Sequence, residues 1–385
     1  MKLRLHTAIT GMAFIGFLNS CTSDDDASFT NLTVPDTYTF TRDSETSVSF
    51  SGQTTRLGLG EILATDLKDF SKTGDELTTS YSTGDGSKNL RSKTAASDDY
   101  FSTDTATAEE IRTVFDGYLT SQATEFLEAF DTADDVTTGS EGIAGKVTES
   151  DGITVRYVNG DGLEYDQAFT KGLTGALVLD QIVNNYLSRS ANEAYQEANT
   201  LETLVDGKNY TTLEHYWDEA YGYVYGSTVD DTVNDVFLYK YLARYTTLEA
   251  DVNTAFRTGR AAIVAKDYET VAEQVEILRE KLSLVIAIRA VNYLNEGATL
   301  ISLGDRTDAF HDLSEGYGFI YGLQFTRKPN TEAPYFTKSE VDGFIATLEA
   351  ENGFYDITEE TLTNMASTIA TTFGYESIDT ILAVE

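Results

Sequence analysis

The stretch HYWDEAYGYVYG, residues 215–226, returns 96 positions later as HDLSEGYGFIYG, residues 311–322. Both copies read His-x-x-x-Glu-x-Tyr-Gly-aromatic-aliphatic-Tyr-Gly, and apart from His6 they hold every histidine of the chain. On a helix turning about 100° per residue, with His215 at zero, Glu219 falls at about 40°, Gly222 at about −20° and Gly226 at about 20°. Imidazole, carboxylate and two glycines share one narrow stripe, and His311, Glu315, Gly318 and Gly322 repeat it. A glycine inside a helix costs about 1 kcal/mol against alanine, so two on one face need a steric reason. Something approaches that face closely, either another helix or a ligand.

Upstream of each copy lies a second match. Val183-Asn184-Asn185-Tyr186-Leu187 and Val291-Asn292-Tyr293-Leu294 align at Asn-Tyr-Leu, and the polar segment 188–210 absorbs the difference in spacing to the histidine. A long helix, a connection and a His-Glu helix therefore occur twice, in about 163–226 and 267–326. The expected fold is mainly α: a duplicated helical bundle with a small N-terminal β element, built as one domain over 34–385 from two half-bundles about a pseudo-twofold axis.

Periodicity predicts helices at 56–70, 106–130, 163–189, 191–205, 211–226, 230–257, 267–303, 305–326, 338–351 and 358–373. The only prolines are Pro35, Pro329 and Pro334, so the strongest helix breaker is missing from Asp36 to Lys328. Short strands are expected around Asp43-Ser44, and a hairpin is expected from 143–148 and 153–158 about Ser150-Asp151-Gly152. Residues 71–99, rich in Ser, Thr, Gly and Asp, read as a long exposed loop. The 23 Tyr and 20 Phe, placed at helical spacing, read as core.

The chain opens MKLRLHTAITGMAFIGFLNSC: basic residues, an apolar stretch and a cysteine where a lipoprotein signal peptidase would cut. The expectation is a signal peptide at 1–20, lipidation of Cys21, an acidic tether at 21–33 containing Asp24-Asp25-Asp26, and a place on the outer membrane at its cell-surface or periplasmic face. As the sole cysteine, Cys21 allows no disulfide within the chain. Removing residues 1–20 takes away Lys2 and Arg4 but no acid, so the formal charge moves from −36 to −38. Such a surface repels nucleic acid and anionic headgroups, which leaves the lipid on Cys21 as the membrane contact and a small ligand or an envelope protein as the other expected partner.

Three readings of the stripes stay open. Each glutamate could bond its own histidine at i, i+4 and fix the helix in a crowded core. His215, Glu219, His311 and Glu315 could share a divalent metal or iron, with Asp218 adding an oxygen that Ser314 cannot match. An organic ligand or peptide could be gripped by the polar groups together with Tyr221, Gly222, Tyr317 and Gly318. Glu164, ahead of the small-residue run Lys171-Gly172-Leu173-Thr174-Gly175-Ala176, is a further candidate, placed as a first-turn acid favoured by the helix dipole. No Gly-x-Ser-x-Gly elbow, phosphate-binding loop or His-Glu-x-x-His appears, so no catalytic residue is assigned.

The runs Ser49–Leu57, Gly162–Tyr165, Lys171–Ala176, His215–Tyr223 and His311–Phe319 resemble an uncharacterised Bacteroidetes lipoprotein family, a domain of unknown function, over nearly the whole chain beyond Cys21. More remotely, the duplicated bundle with a His/Glu signature is similar to imelysin-like proteins, whose Gly-x-His-x-x-Glu becomes here Leu213 or Ala309 two residues before the histidine and glutamate at i+4. That resemblance implies iron or haem-linked uptake, or a metallopeptidase. The expected function is a lipid-anchored outer-membrane binding protein, with a metallopeptidase and a structural cell-envelope interaction protein as alternatives.

Overall fold

The computed structural model describes residues 32–226 and 237–385, with the backbone of two short strands between them. The expected signal peptide, Cys21 and the tether as far as residue 31 lie outside the described residues. The first elements are the hairpin β1 (Thr41–Arg42) and β2 (Glu45–Thr46), then α1 (Ser51–Asp66), α2 (Gly74–Ser82), α3 (Asp98–Phe101) and α4 (Thr105–Gln122). A second hairpin, β3 (Gly145–Thr148) with β4 (Val155–Val158), leads to α5 (Tyr165–Leu173), α6 (Arg189–Ala194), α7 (Gln196–Thr200) and α8 (Thr212–Tyr225). After β5 (Thr228–Val229) and β6 (Thr232–Val233) come α9 (Phe237–Leu242), α10 (Thr246–Ala265), α11 (Tyr268–Leu303) and α12 (Arg306–Gly322). The chain ends with α13 (Lys338–Leu348), α14 (Glu359–Thr372) and α15 (Ile378–Leu382). The fold is mainly α, and the β structure described is three antiparallel two-stranded ribbons.

Local chemistry explains the helix that carries the first motif. Thr211 accepts the Glu214 N–H while Glu214 accepts the Thr211 N–H, a reciprocal cap that starts α8. The 36-residue α11 starts at Asp267, whose carboxylate caps Thr270, and stops at Gly304, whose φ of 90° ends the helix. Every residue from Val285 to Val291 on α11 is buried. That helix is the hub of the bundle, packed by α10, α12 and α14. None of the described helices is long and apolar enough to cross a membrane.

The predicted helices at 211–226, 267–303 and 305–326 are α8, α11 and α12, the last finishing in a 3-10 turn at Leu323–Phe325. Elsewhere the structure departs from the pattern. The helix expected over 163–189 starts at Tyr165 and widens into π turns at Thr174–Leu179 and Ile182–Tyr186. Widened turns release carbonyls from the helix, and that of Ala176 accepts the N–H of Ala95 at 2.7 Å. The segment 191–205 holds only the short α6 and α7, and the helix expected at 230–257 is broken between α9 and α10, where the Leu248 N–H is taken by the Glu385 carbonyl.

The largest correction concerns 71–99, which is no exposed loop. Thr73 and Glu76 form a capping box that starts α2, and Leu77 and Tyr81, four apart, are fully buried. Further on, Thr94, Ala95 and Ser97 are buried too. The carboxylate of Asp180 accepts the N–H groups of Ala96 and Ser97 and the Ser97 hydroxyl, pinning this segment to the core. Sparse apolar residues suffice because each is placed where the core needs it.

Two glycine substitutions should separate close packing from helix propensity. A Cβ at Gly318 would lie 2.5 Å from Lys171 Cβ and 2.7 Å from Gly172 N, whereas nothing stands within 4 Å at Gly58 on α1. Urea unfolding should show Gly318→Ala destabilised by about 1–3 kcal/mol and Gly58→Ala stabilised by up to about 1 kcal/mol.

Candidate functional site

Each motif helix is docked on another helix, α8 on the start of α1 and α12 along the length of α5. Gly222 of α8 meets Phe50 and Gln53, at the start of α1, with no room for a Cβ. Gly318 of α12 meets Lys171 and Gly172 of α5, and a Cβ on Gly175 would strike the Gly322 backbone. The expected close approach is thus made by protein at both stripes. Two residues after each histidine the parallel continues: Trp217 fills the space over Gly259 of α10, and Leu313 that over Gly297 of α11.

Polar groups obey the same geometry. His215 Nδ1 donates to the Ser49 carbonyl at 3.0 Å, while His311 Nδ1 bonds Glu164 Oε1 at 2.9 Å. Three residues on, Asp218 accepts the Ser49 N–H at 3.0 Å and Ser314 accepts the Glu164 N–H at 2.9 Å. Asp218 and Ser314, unlike in chemistry, therefore do one job. Glu219 accepts Gln53 Nε2 at 2.9 Å, and Glu315 pairs with Lys171 Nζ at 2.9 Å. Within the first stripe His215 Nε2 lies 3.9 Å from Glu219, too long for a hydrogen bond. The stripes bond across to the docking elements rather than along themselves.

Asp218 also anchors a buried ion cluster. Its Oδ1 accepts from the Tyr38 hydroxyl and from Arg260 Nε, while Arg260 Nη1 reaches Glu214 at 2.9 Å and Arg42 closes on Glu214 from outside. Arg260 has no exposed side-chain area and lies over the Phe40 ring. Removing one partner from such a cluster strands a buried charge at a cost of about 3–5 kcal/mol.

The four side chains considered for a shared metal are not gathered. Both histidine Nδ1 atoms and the Glu315 carboxylate are engaged elsewhere, and among the described residues no group of three or more His, Cys, Asp or Glu is placed to hold an ion. The donor set does not fit a metal. Of the other expected ligand contacts, Tyr317 is buried and donates to Glu349 at 2.6 Å. Tyr221 stacks on Tyr38 at a centroid distance of 3.6 Å and lines an open groove with Phe50. Glu164 sits at the α5 N-cap, but its side chain serves His311 rather than its own helix.

A further open space lies beside Glu219. A recess of about 390 Å³ is lined by Gly52 and Arg56 of α1, Lys88, Lys93, Ala96 and Asp98 of the 83–98 segment, Asn185, Tyr186, and Tyr216 and Glu219 of α8. Burial, then the neighbouring Arg56 guanidinium, lowers the Lys93 pKa. Among the described residues the side-chain nitrogens of Arg56, Lys88 and Lys93 have no carboxylate oxygen within 4.0 Å, whereas those of Lys171, Arg260, Arg279 and Arg327 all do. The cations escape a reading of the sequence because two of them lie in a stretch with the composition of a loop.

At the second stripe the charges set a pH dependence. Burial disfavours a charged His311, but its bond to Glu164 and the negative charge of Glu164 and Glu315 outweigh this and raise its pKa. Burial, with Glu296 next, pushes the adjacent Asp312 up to about 7. A raised histidine contributes stability below its unfolded pKa of about 6.5 and loses it as pH climbs past the folded value. A raised carboxyl costs nothing below its unfolded pKa of about 3.9, and its cost grows as pH rises toward the folded value. Both effects make stability fall as pH rises from about 6 to 8. Asp312→Asn should therefore melt above the parent at pH 8 and level with it at pH 4 in scanning calorimetry; a gap of equal size at both pH values would contradict the assignment.

The family model described as Domain of unknown function (DUF4856) matches residues 35–376, from just before β1 to beyond α14. No curated protein and no solved structure matches the chain. The match spans both docked stripes, the buried ion cluster and the recess, and the chain belongs to the DUF4856 family.

Proposed function

We propose that the chain is a lipid-anchored binding protein of the outer membrane, held by Cys21, which takes a small solute into the recess beside Glu219. One observation carries the reading: two stripes matched in sequence differ in what faces their carboxylate. Glu315 is closed off by the Lys171 ammonium at 2.9 Å, with both side chains largely buried. Glu219 accepts the neutral Gln53 amide at 2.9 Å, and among the described residues no lysine or arginine nitrogen lies within 4.0 Å of it where it borders the 390 Å³ recess. On this reading the α12 stripe is a structural clamp, and its α8 counterpart is the wall of a binding site. The matched docking of α8 on α1 and of α12 on α5 supports descent of the two motif-bearing segments from one ancestor.

The recess falls within the size range of small-molecule sites, and its lining is mostly polar, with Arg56, Lys88, Lys93, Asp98 and Glu219 beside the Tyr186 and Tyr216 rings. The acidic surface fits the same picture, since it leaves membrane attachment to the lipid.

Gly52→Leu is the direct test, because a Cβ there meets Arg56 and Lys88 only at an ordinary 3.6 Å and the longer side chain would fill the recess. Native mass spectrometry of the full chain, purified in detergent from membranes, should find a small molecule that the folded Gly52→Leu variant lacks. Cys21→Ser should move the chain out of the membrane fraction. The same solute retained by Gly52→Leu would refute the site.

A further inference from the structure

We propose that the recess between α1, the 91–93 turn and α8 holds its solute by a carboxylate or phosphate group gripped by Arg56, Lys88 and Lys93. The inference rests on the recess being the binding site and adds the chemical class of what enters it. Three cations, one from α1 and two from the 83–98 segment, converge there against the two carboxylates of Asp98 and Glu219, an excess of one positive charge. That is unusual company in a chain with 63 acidic and 27 basic residues. Among the described residues, three of the four other buried arginines are matched by carboxylates at close range, Arg260 with Glu214 and Asp218 at 2.9 and 3.0 Å, Arg279 with Glu276 at 3.1 Å and Arg327 with Glu332 at 2.7 Å, while Arg289 lies against the Tyr241 and Tyr293 rings. Like charges brought together without a close partner repel, and the repulsion sharpens as water is excluded. A bound anion would remove it.

The backbone beneath the cations is fixed before any ligand arrives. Asp85 Oδ1 accepts the N–H groups of Ser87 and Lys88 at 2.8 and 2.6 Å, and Gly84, at a φ of +60°, leaves no room for a Cβ beside the Lys88 carbonyl. Lys93 precedes the buried Thr94, whose hydroxyl is tied to Tyr81 and to the Leu90 carbonyl. Arg56 is buried, with Nε donating to the Asn89 carbonyl at 3.3 Å. A backbone already in place limits the ordering that binding must supply, and guanidinium with ammonium is the donor set that suits carboxylate and phosphate oxygens. Tyr186, Tyr216 and Asn185 are left to contact the rest of the molecule, with Glu219 and Asp98 available to hydroxyl or ammonium groups on it.

Isothermal titration of the full chain in detergent with inorganic phosphate, succinate and uncharged glycerol, at constant ionic strength, tests this. One anion should bind at a single saturable site, and which one does so names the head group; glycerol should not bind. Lys93→Gln should weaken that binding at least about tenfold, Lys88→Gln should weaken it in the same direction as a more exposed control on folding, and Gly52→Leu should abolish it. Binding lost in Gly52→Leu but unchanged in both lysine variants would overturn the anionic class and keep the recess as a site. Binding of neither anion would overturn the inference even if native mass spectrometry finds a solute in the recess.

Discussion

Glycine-mediated backbone contact is the constraint on which the rest of the molecule depends. Where Gly318 of α12 lies against Lys171 and Gly172, and Gly175 against Gly322, two helices come closer than any side chain would permit. Water has no place in such a contact, so every polar group beside it must be satisfied by protein. The histidine, the Asp or Ser three residues later and the glutamate do this by reaching across to the docked element. Their shared spacing is the spacing of a docking surface.

That constraint also explains why the two motifs behave alike although their partners differ. The first stripe lies on the start of α1 and the second on α5, and in each the residue three after the histidine accepts a backbone N–H from the partner segment. Once the backbone contact is set, the remaining side chains are free to diverge. At α12 the partner supplies an ammonium that neutralises Glu315; at α8 it supplies a neutral amide, and the space beyond is left to Arg56, Lys88 and Lys93.

Much of this is legible in the sequence, and the boundary is physical. The helical stripe, the demand for close approach at glycine and the mainly α fold all come from local periodicity and backbone energetics, which act over a few residues. The partners cannot be read the same way: His215 bonds a carbonyl 166 positions away, and His311 a carboxylate 147 positions away. The i, i+4 bond between histidine and glutamate, one of the three readings the stripes allow, is not made, because both side chains are drawn toward the docked helix. Residues 71–99 mislead for a related reason. Their composition is that of a loop, but the capping pair Thr73/Glu76 and the two apolar residues Leu77 and Tyr81 are enough to fold α2, and the bonds of Asp180 to Ala96 and Ser97 secure the far end of the segment. Two of the three cations in the recess are hidden with that segment.

The central claim, that motif side chains are coupled to the docking element and not to one another, is met most directly by double-mutant cycles in chemical denaturation. Lys171→Met with Glu315→Gln should give a coupling energy of about 1 kcal/mol or more, as a largely buried pair requires. His311→Gln with Glu315→Gln should give a clearly smaller one. A strong His311–Glu315 coupling beside a negligible Lys171–Glu315 coupling would contradict the account.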